Sequence, residues 1–488
     1  MAPQDASQAR RLLIVGAGEA GRSLAAEVRR SPDLGMLPVG FVDDDAALVG
    51  TQVDGLPVAG FTADLVAAAR ELDADEILIA IPSARGSLIR RLVLACKQAD
   101  LPFRIVPGLR AIIEGDVHFE QVRTVAPEDL LGRETVSFGV ERARSVVRGR
   151  SVMVTGAGGS IGGELCRQLL PLEPSELLLL GRGENSIFEI ESELAAAGSA
   201  TRLTPVICDV RDADRLAVLA RRHAPRLILH AAAHKHVPLM EDNPEEAVVV
   251  NAGGTVNLVD FARRVGAERF VLISTDKAAE PTSIMGASKK LAELLVRHAQ
   301  ACGGDTRFMT VRFGNVLGSR GSVVPYFLKR IAAGQPLPVT DPDMTRYFMT
   351  IREAALLVIE AMVLGEAGAT YILEMGEPVS VLELARNLLV LSGYDPGDRG
   401  PGIEIVGVRP GEKLHESLLD PEETLEPSGS ELIHKARCRA GDPAAATACL
   451  PDLLDLARRG DRATLRQALA TLLDRPELAR PAVARGEP

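Results

Sequence analysis

The sequence predicts an α/β chain of two tandem doubly wound parallel sheets, the second with a smaller C-terminal substrate-binding subdomain. Two observations predict it. Short apolar runs alternate with helical stretches from about residue 10 onward, the pattern of parallel strands joined by crossover helices. A glycine turn between an apolar run and a helix occurs twice, at Gly16 and again at Gly156. At 488 residues the chain exceeds one ordinary core, so two or three domains are expected.

After a flexible start over 1–9, the first unit runs from about 10 to 125 and reads as a Rossmann-like nucleotide- or CoA-binding domain. Strands are expected at 12–15, 39–42, 76–81 and 103–106, with helices at 62–72 and 87–99. Residues 126–150 read as a linker with one helix. The pattern then restarts over 151–438. Strands are expected at 151–154, 177–180, 204–207, 227–230, 269–273 and 308–311. The alternation weakens after Gly318, where short Pro- and Gly-containing segments suit a substrate subdomain. Residues 439–488 read as an amphipathic helical tail, either an oligomer contact or loose.

The formal net charge of -11 argues against a broad nucleic-acid surface, which needs clustered Lys and Arg. Six scattered cysteines form no C-x-x-C, so neither a disulfide framework nor a zinc site is expected, and a cytoplasmic location fits. His230, His234 and His236 alternate after a strand and read as pocket and packing residues, with no metal implied. No apolar run approaches the ~18 to 20 residues that span a bilayer, and the first eleven residues show no secretory pattern.

Glycines let a dinucleotide's pyrophosphate approach the bare N–H groups of a helix start. The first turn has Gly16, Gly18 and Gly21, with Asp43 where a ribose-binding carboxylate would stand. It reads equally as a second nucleotide site or as a domain that binds something else or nothing. The second turn, Thr155 to Gly162, has the wider T-G-x-x-G-x-x-G spacing, with Gly156, Gly159, Ser160, Ile161 and Gly162 around the phosphates. Its second strand ends in Gly181-Arg182. A cation there suits a 2′-phosphate and favours NADP over NAD, unless Arg182 simply faces solvent. Asp209 and Val210 would flank the adenine, with Ala231 and Ala232 nearby.

None of the four tyrosines is followed by lysine four residues on, so the usual Tyr-x-x-x-Lys pair is absent. Met285 and Lys289 occupy those two places. Ser274-Thr275-Asp276-Lys277 precedes them, directly after a strand. Together with 181–186, 230–238, 312–319 and 409–413, this run resembles the bacterial polysaccharide-biosynthesis family of nucleotide-sugar 4,6-dehydratases acting on UDP-N-acetylglucosamine. These are of the extended short-chain dehydrogenase/reductase type. Large family members usually begin with membrane helices, which this sequence lacks.

The resemblance implies hydride transfer from sugar C4 to a tightly held NAD(P), loss of water across C5 and C6, and return of hydride to C6. Thr275 would hydrogen-bond the C4 oxygen and Asp276 would be the acid at C6. Lys277 would be the C5 base, its pKa depressed by burial and by Lys289. Lys289 would hold the nicotinamide ribose, and Asp276 or water would take the C4 proton. Asn315, Arg346 and Arg409 would contact the diphosphate, with Lys235 at the substrate mouth. A homo-oligomer is implied. The rival readings are a UDP-N-acetylhexosamine 4-epimerase and a non-catalytic nucleotide-sugar sensor.

Overall fold

A computed structural model describes residues 9–82, 84, 86–106, 122–125, 129, 139–394, 400–437 and 441–480. They fall into two compact units: Met1–Ser137 with Tyr326–Pro338 and Glu383–Glu404, and Phe138–Pro325 with Val339–Leu382 and Ile405–Pro488. In the 126–150 linker, 126–128 and 130–138 lie outside the described residues; within the rest, Val140–Val147 is helical.

The first unit holds β1 (Arg10–Val15), α1 (Glu19–Arg30), β2 (Met36–Val42), α2 (Leu65–Glu71), β3 (Glu76–Ile79), α3 (Gly86–Gln98) and β4 (Phe103–Ile105). Its four strands are parallel, in the order β2-β1-β3-β4. Leu12 and Ile14 pack toward α1 in one cluster, while Leu13 and Val15 pack toward α2 and α3 in another. Both faces of the sheet are therefore covered, which is why its strands read as unbroken apolar runs. The stretch Glu383–Glu404, assigned by sequence to the second domain, instead belongs here. Val390 joins the core beside Leu92 and Val93, and its carbonyl accepts a hydrogen bond from Lys97.

The second unit contains β5 (Ser151–Thr155), α4 (Ser160–Leu169), β6 (Glu176–Gly181), α5 (Glu184–Ala196), β7 (Arg202–Ile207), β8 (Leu227–His230), α6 (Gly254–Val265), β9 (Arg269–Ile273), α7 (Ile284–Ala301) and β10 (Arg307–Arg312). There follow α8 (Ile351–Leu364), β11 (Thr370–Leu373), β12 (Thr424–Ser430), β13 (Ile433–Arg437), α9 (Pro443–Arg459) and α10 (Arg462–Leu473). The nine strands lie in the order β12-β13-β11-β10-β9-β8-β5-β6-β7. From β7 to β11 all neighbours are parallel; β13 and β12 add an antiparallel edge. The chain reverses direction between β5 and β8, and open sheets of this kind bind ligands in the crevice beyond the strand ends at such a point.

The described part of the tail, 441–480, is not loose. Leu450 and Leu453 of α9 and Leu465 and Leu469 of α10 recur at helical spacing and share a core with Ile284, Leu291 and Leu294 of α7. Arg466 is buried and donates to the Glu241 carboxylate at 2.8 Å. The other Glu241 oxygen accepts the Ile284 N–H at 2.7 Å, so the tail braces the start of α7. No helix among the described residues is long and apolar enough to cross a membrane.

Candidate active site

The second glycine turn leads from β5 into α4. Gly156 adopts φ +67°, and a Cβ there would lie 2.9 Å from the Ala232 backbone. A Cβ at Gly162 would run into the Gly156 carbonyl. Only hydrogen fits at both, so the turn closes tightly. The N-cap, Gly159, makes no side-chain cap hydrogen bond, and the first amides of α4 are left for an anion. Beside them a cleft is lined by Gly156, Gly159, Arg182, Asp209, Val210, Ala231 and Ala232, and by His234 and Arg320. This cradle fits a dinucleotide. Ser160 and Ile161 open α4, and Ser160 Oγ accepts the Arg320 N–H at 3.0 Å. Arg182 is exposed on the rim. Burial works to raise the Asp209 carboxyl, but Arg211, 2.9 Å away, and Arg182 hold it below its ordinary range.

At the strand ends below the cleft, His230 bonds the Thr155 hydroxyl at 2.7 Å and the Thr255 hydroxyl at 3.1 Å. Burial and then Lys289 push its pKa down to about 3, so it is a neutral packing residue. Lys289 is buried on α7 and donates to the Ile273 carbonyl at 2.7 Å; burial pushes its pKa down to about 8 against the pull of Glu293. Asn251 sits in a short π-helical segment, Val248–Gly253, and clamps the His234 backbone from both sides (2.8 and 3.0 Å) while reaching the Ser288 hydroxyl at 2.9 Å. Such wide turns are frequent at functional sites.

Thr275, Asp276 and Lys277 follow β9 directly. The Thr275 hydroxyl donates to Asp276 Oδ1 at 2.8 Å, and Lys277 Nζ donates to the same oxygen at 2.9 Å. Asp276 is fully buried, and its Oδ2 has no hydrogen-bond partner among the described residues. Lys277 also donates to Asn315 Oδ1 at 3.1 Å and lies 3.5 Å from Glu416.

Several residues differ from expectation. Lys277 was expected to have a depressed pKa. Burial does act that way, but the Asp276 and Glu416 carboxylates outweigh it and raise the value, so the resting group is an ammonium. Met285 is only 2% exposed and packs in the core with Val237 and Met240, and so carries no polar role. Asn315, expected on the diphosphate, accepts a hydrogen bond from Lys277 through its Oδ1. Arg346, expected there too, is buried, with its NH1 committed to the carbonyls of Thr345 and Leu414 (2.7 and 3.0 Å). Arg409 is exposed, while Lys235 reaches Ser319 Oγ at 3.3 Å. In the first unit Gly16, Gly18 and Gly21 do form a turn before α1. Asp43, however, spends its carboxylate on that turn, accepting the Ala17 N–H at 2.6 Å, and on the Asp45 N–H at 2.8 Å.

Sequence reading missed Asn251, Arg320 and Glu416. Arg320 follows the motif 312–319 by one residue, and Glu416 lies three beyond 409–413. Asn251 carried no local signal, because its partners come from distant segments.

A parallel sheet with a glycine turn at its switch point defines the Rossmann class of nucleotide-binding folds. More narrowly, the chain belongs to the polysaccharide biosynthesis protein family, whose profile matches residues 152–437; a CoA-binding domain profile matches 4–107. It is 42% identical over 462 residues to "Probable polysaccharide biosynthesis protein EpsC" of Bacillus subtilis (strain 168), covering 94% of this chain and 77% of that protein. It is 34% identical over 280 residues to a UDP-N-acetylglucosamine 4,6-dehydratase (inverting) of Campylobacter jejuni, covering 57% of this chain and 79% of that one. UDP-glucose 4-epimerases match at 32% over a similar share. The X-ray structure of Pen from Bacillus thuringiensis is 33% identical, with a TM-score of 0.52 over 56% of this chain and 84% of that one.

Proposed function

We propose that this protein is a cytoplasmic nucleotide-sugar 4,6-dehydratase that converts UDP-N-acetylglucosamine to its 4-keto-6-deoxy derivative for surface polysaccharide synthesis. The observation that carries the reading is the hydrogen-bonded run Thr275–Asp276–Lys277 at the C-terminal end of β9, on the same sheet edge as the glycine turn. An NADP or NAD bound in that cleft supplies the hydride acceptor for C4 and the hydride for C6. Everything else falls to side chains. The Thr275 hydroxyl takes the proton of the C4 hydroxyl as it passes its own to the Asp276 carboxylate, 2.8 Å away. That step loads Asp276 with the proton it gives to the departing C6 hydroxyl, so a methionine at 285 is no obstacle. Lys277 removes the C5 proton, and Lys289 orients the nicotinamide ribose. Lys235 and Arg409, on the exposed side, would meet the nucleotide diphosphate.

The test is turnover of UDP-N-acetylglucosamine in heavy water. Dehydration gives a 4-keto-6-deoxy sugar carrying deuterium at C5. A product of unchanged mass, epimerised at C4 with no deuterium, would replace this reading by the epimerase. Binding with no product at all would leave a sensor.

For the cofactor, the exposed Arg182 at the cleft rim supports NADP. Replacing Arg182 with alanine is expected to weaken NADP about tenfold, the size of one charge-assisted contact, and to leave NAD nearly unchanged. Titration of the purified protein with both dinucleotides reads the difference.

A further inference from the structure

Lys277 enters the reaction in the wrong protonation state. A C5 base must be an amine, yet two carboxylates flank this lysine and hold it as an ammonium. Asp276 does not relieve the problem, because the C4 proton fills it in the first step. Glu416 remains. Its side chain is 3% exposed, Oε1 lies 3.5 Å from Lys277 Nζ and 3.9 Å from Arg346 Nε, and Oε2 has no hydrogen-bond partner among the described residues. A buried carboxylate oxygen left bare is unfavourable unless it has something to receive. Arg346, itself held by two backbone carbonyls, keeps a cation 3.9 Å from Glu416 Oε1. The charged groups facing Lys277 are thus Asp276, Glu416 and Arg346, with the neutral Asn315 amide completing its donors.

We propose that Glu416 takes the proton off Lys277 and so converts the resting ammonium into the amine that attacks C5–H. The inference rests on the dehydratase reading and deepens it. In the step, an N–H bond of Lys277 breaks and an O–H bond on Glu416 forms, and the lysine keeps the electron pair. The amine then takes the C5 proton. The C5–H electrons pass toward the C4 ketone and expel the C6 hydroxyl, which leaves as water with the proton of Asp276. Once hydride has reached C6, Lys277 returns a proton to C5 and Glu416 returns its own to Lys277. The starting ion pairs are restored, and the net change is the loss of one water. Glu416 is therefore a positioning and proton-holding residue that acts through Lys277 and need not touch the sugar.

The experiment compares the full chain with Glu416→Gln and Glu416→Asp by deuterium exchange at C5 of UDP-N-acetylglucosamine across pH 6 to 10. At pH 7 Glu416→Gln is expected to exchange about 10²-fold more slowly, the usual worth of a proton-transfer partner. The deficit should shrink as pH rises, because solvent hydroxide then deprotonates Lys277. Glu416→Asp should recover part of the rate, and both variants should melt and bind UDP as the unaltered protein does. A mere counter-charge behaves oppositely: its removal lowers the lysine pKa, enriches the amine at neutral pH and moves the acid limb downward with undiminished exchange. That result overturns the proposal while the dehydratase stands. No exchange in the unaltered protein overturns both.

Discussion

Asp276→Asn is expected to lower turnover of UDP-N-acetylglucosamine by about 10²- to 10⁴-fold, the range lost with a positioned acid or base. The substitution keeps shape and polarity. Thr275 and Lys277 can still donate to the amide oxygen at 2.8 and 2.9 Å, so folding and nucleotide-sugar binding should survive. The amide cannot gain or lose a proton. Both the relay from the C4 hydroxyl and the delivery to the C6 hydroxyl are therefore blocked by one atom's change. Because Asp276 is fully buried, water has no easy path to replace it. The loss should fall on kcat with KM little altered, the signature of an interaction made only in the transition state. Near-normal turnover would mean that the carboxylate is only the partner of Lys277.

Much of this was legible in the sequence because the signals are local. Leu227–His230 and Arg269–Ile273 are apolar runs between polar turns, and they are strands at those bounds. The glycine turn of α4 declares itself because only glycine fits against neighbouring backbone. Where pairing is long-range, sequence reading failed. β12 contains Pro427 and Gly429, which argue against a strand, but it is an edge strand, where a missing N–H breaks no ladder. Glu383–Glu404 packs with the first sheet through contacts no local pattern announces. The protonation of Lys277 was misjudged because burial was weighed without its carboxylates: Asp276, next to it in sequence, and Glu416, from a distant loop, together reverse the sign.

The second large effect concerns stability, at the buried charge cluster behind the site. Arg312 is 0% exposed and donates to Glu293 at 2.8 and 2.6 Å and to Glu423 at 2.6 and 3.1 Å. Glu293 also accepts the Ser274 hydroxyl at 2.5 Å, immediately before Thr275, and Lys290 pairs with Asp420 alongside. Arg312→Met leaves two buried carboxylates without their shared cation, which is expected to cost about 3–5 kcal/mol. The dependence on pH should weaken with it. In the unaltered protein burial alone would raise the Glu293 carboxyl, but Arg312 prevails and lowers it. Its contribution is then present above the unfolded value of about 4.3 and is lost as pH falls through the folded one. Without Arg312, only Lys290 and the Ser274 hydroxyl still oppose burial and the neighbouring carboxylate, so the folded pKa moves up and acidification costs the variant less than it costs the unaltered protein. Urea midpoints at pH 7 and pH 5 should therefore show a penalty that narrows at the lower pH. A penalty equal at both would mean that the loss is one of packing volume. In that case adding Glu293→Gln and Glu423→Gln would recover nothing, whereas the electrostatic account requires the triple variant to regain much of the stability.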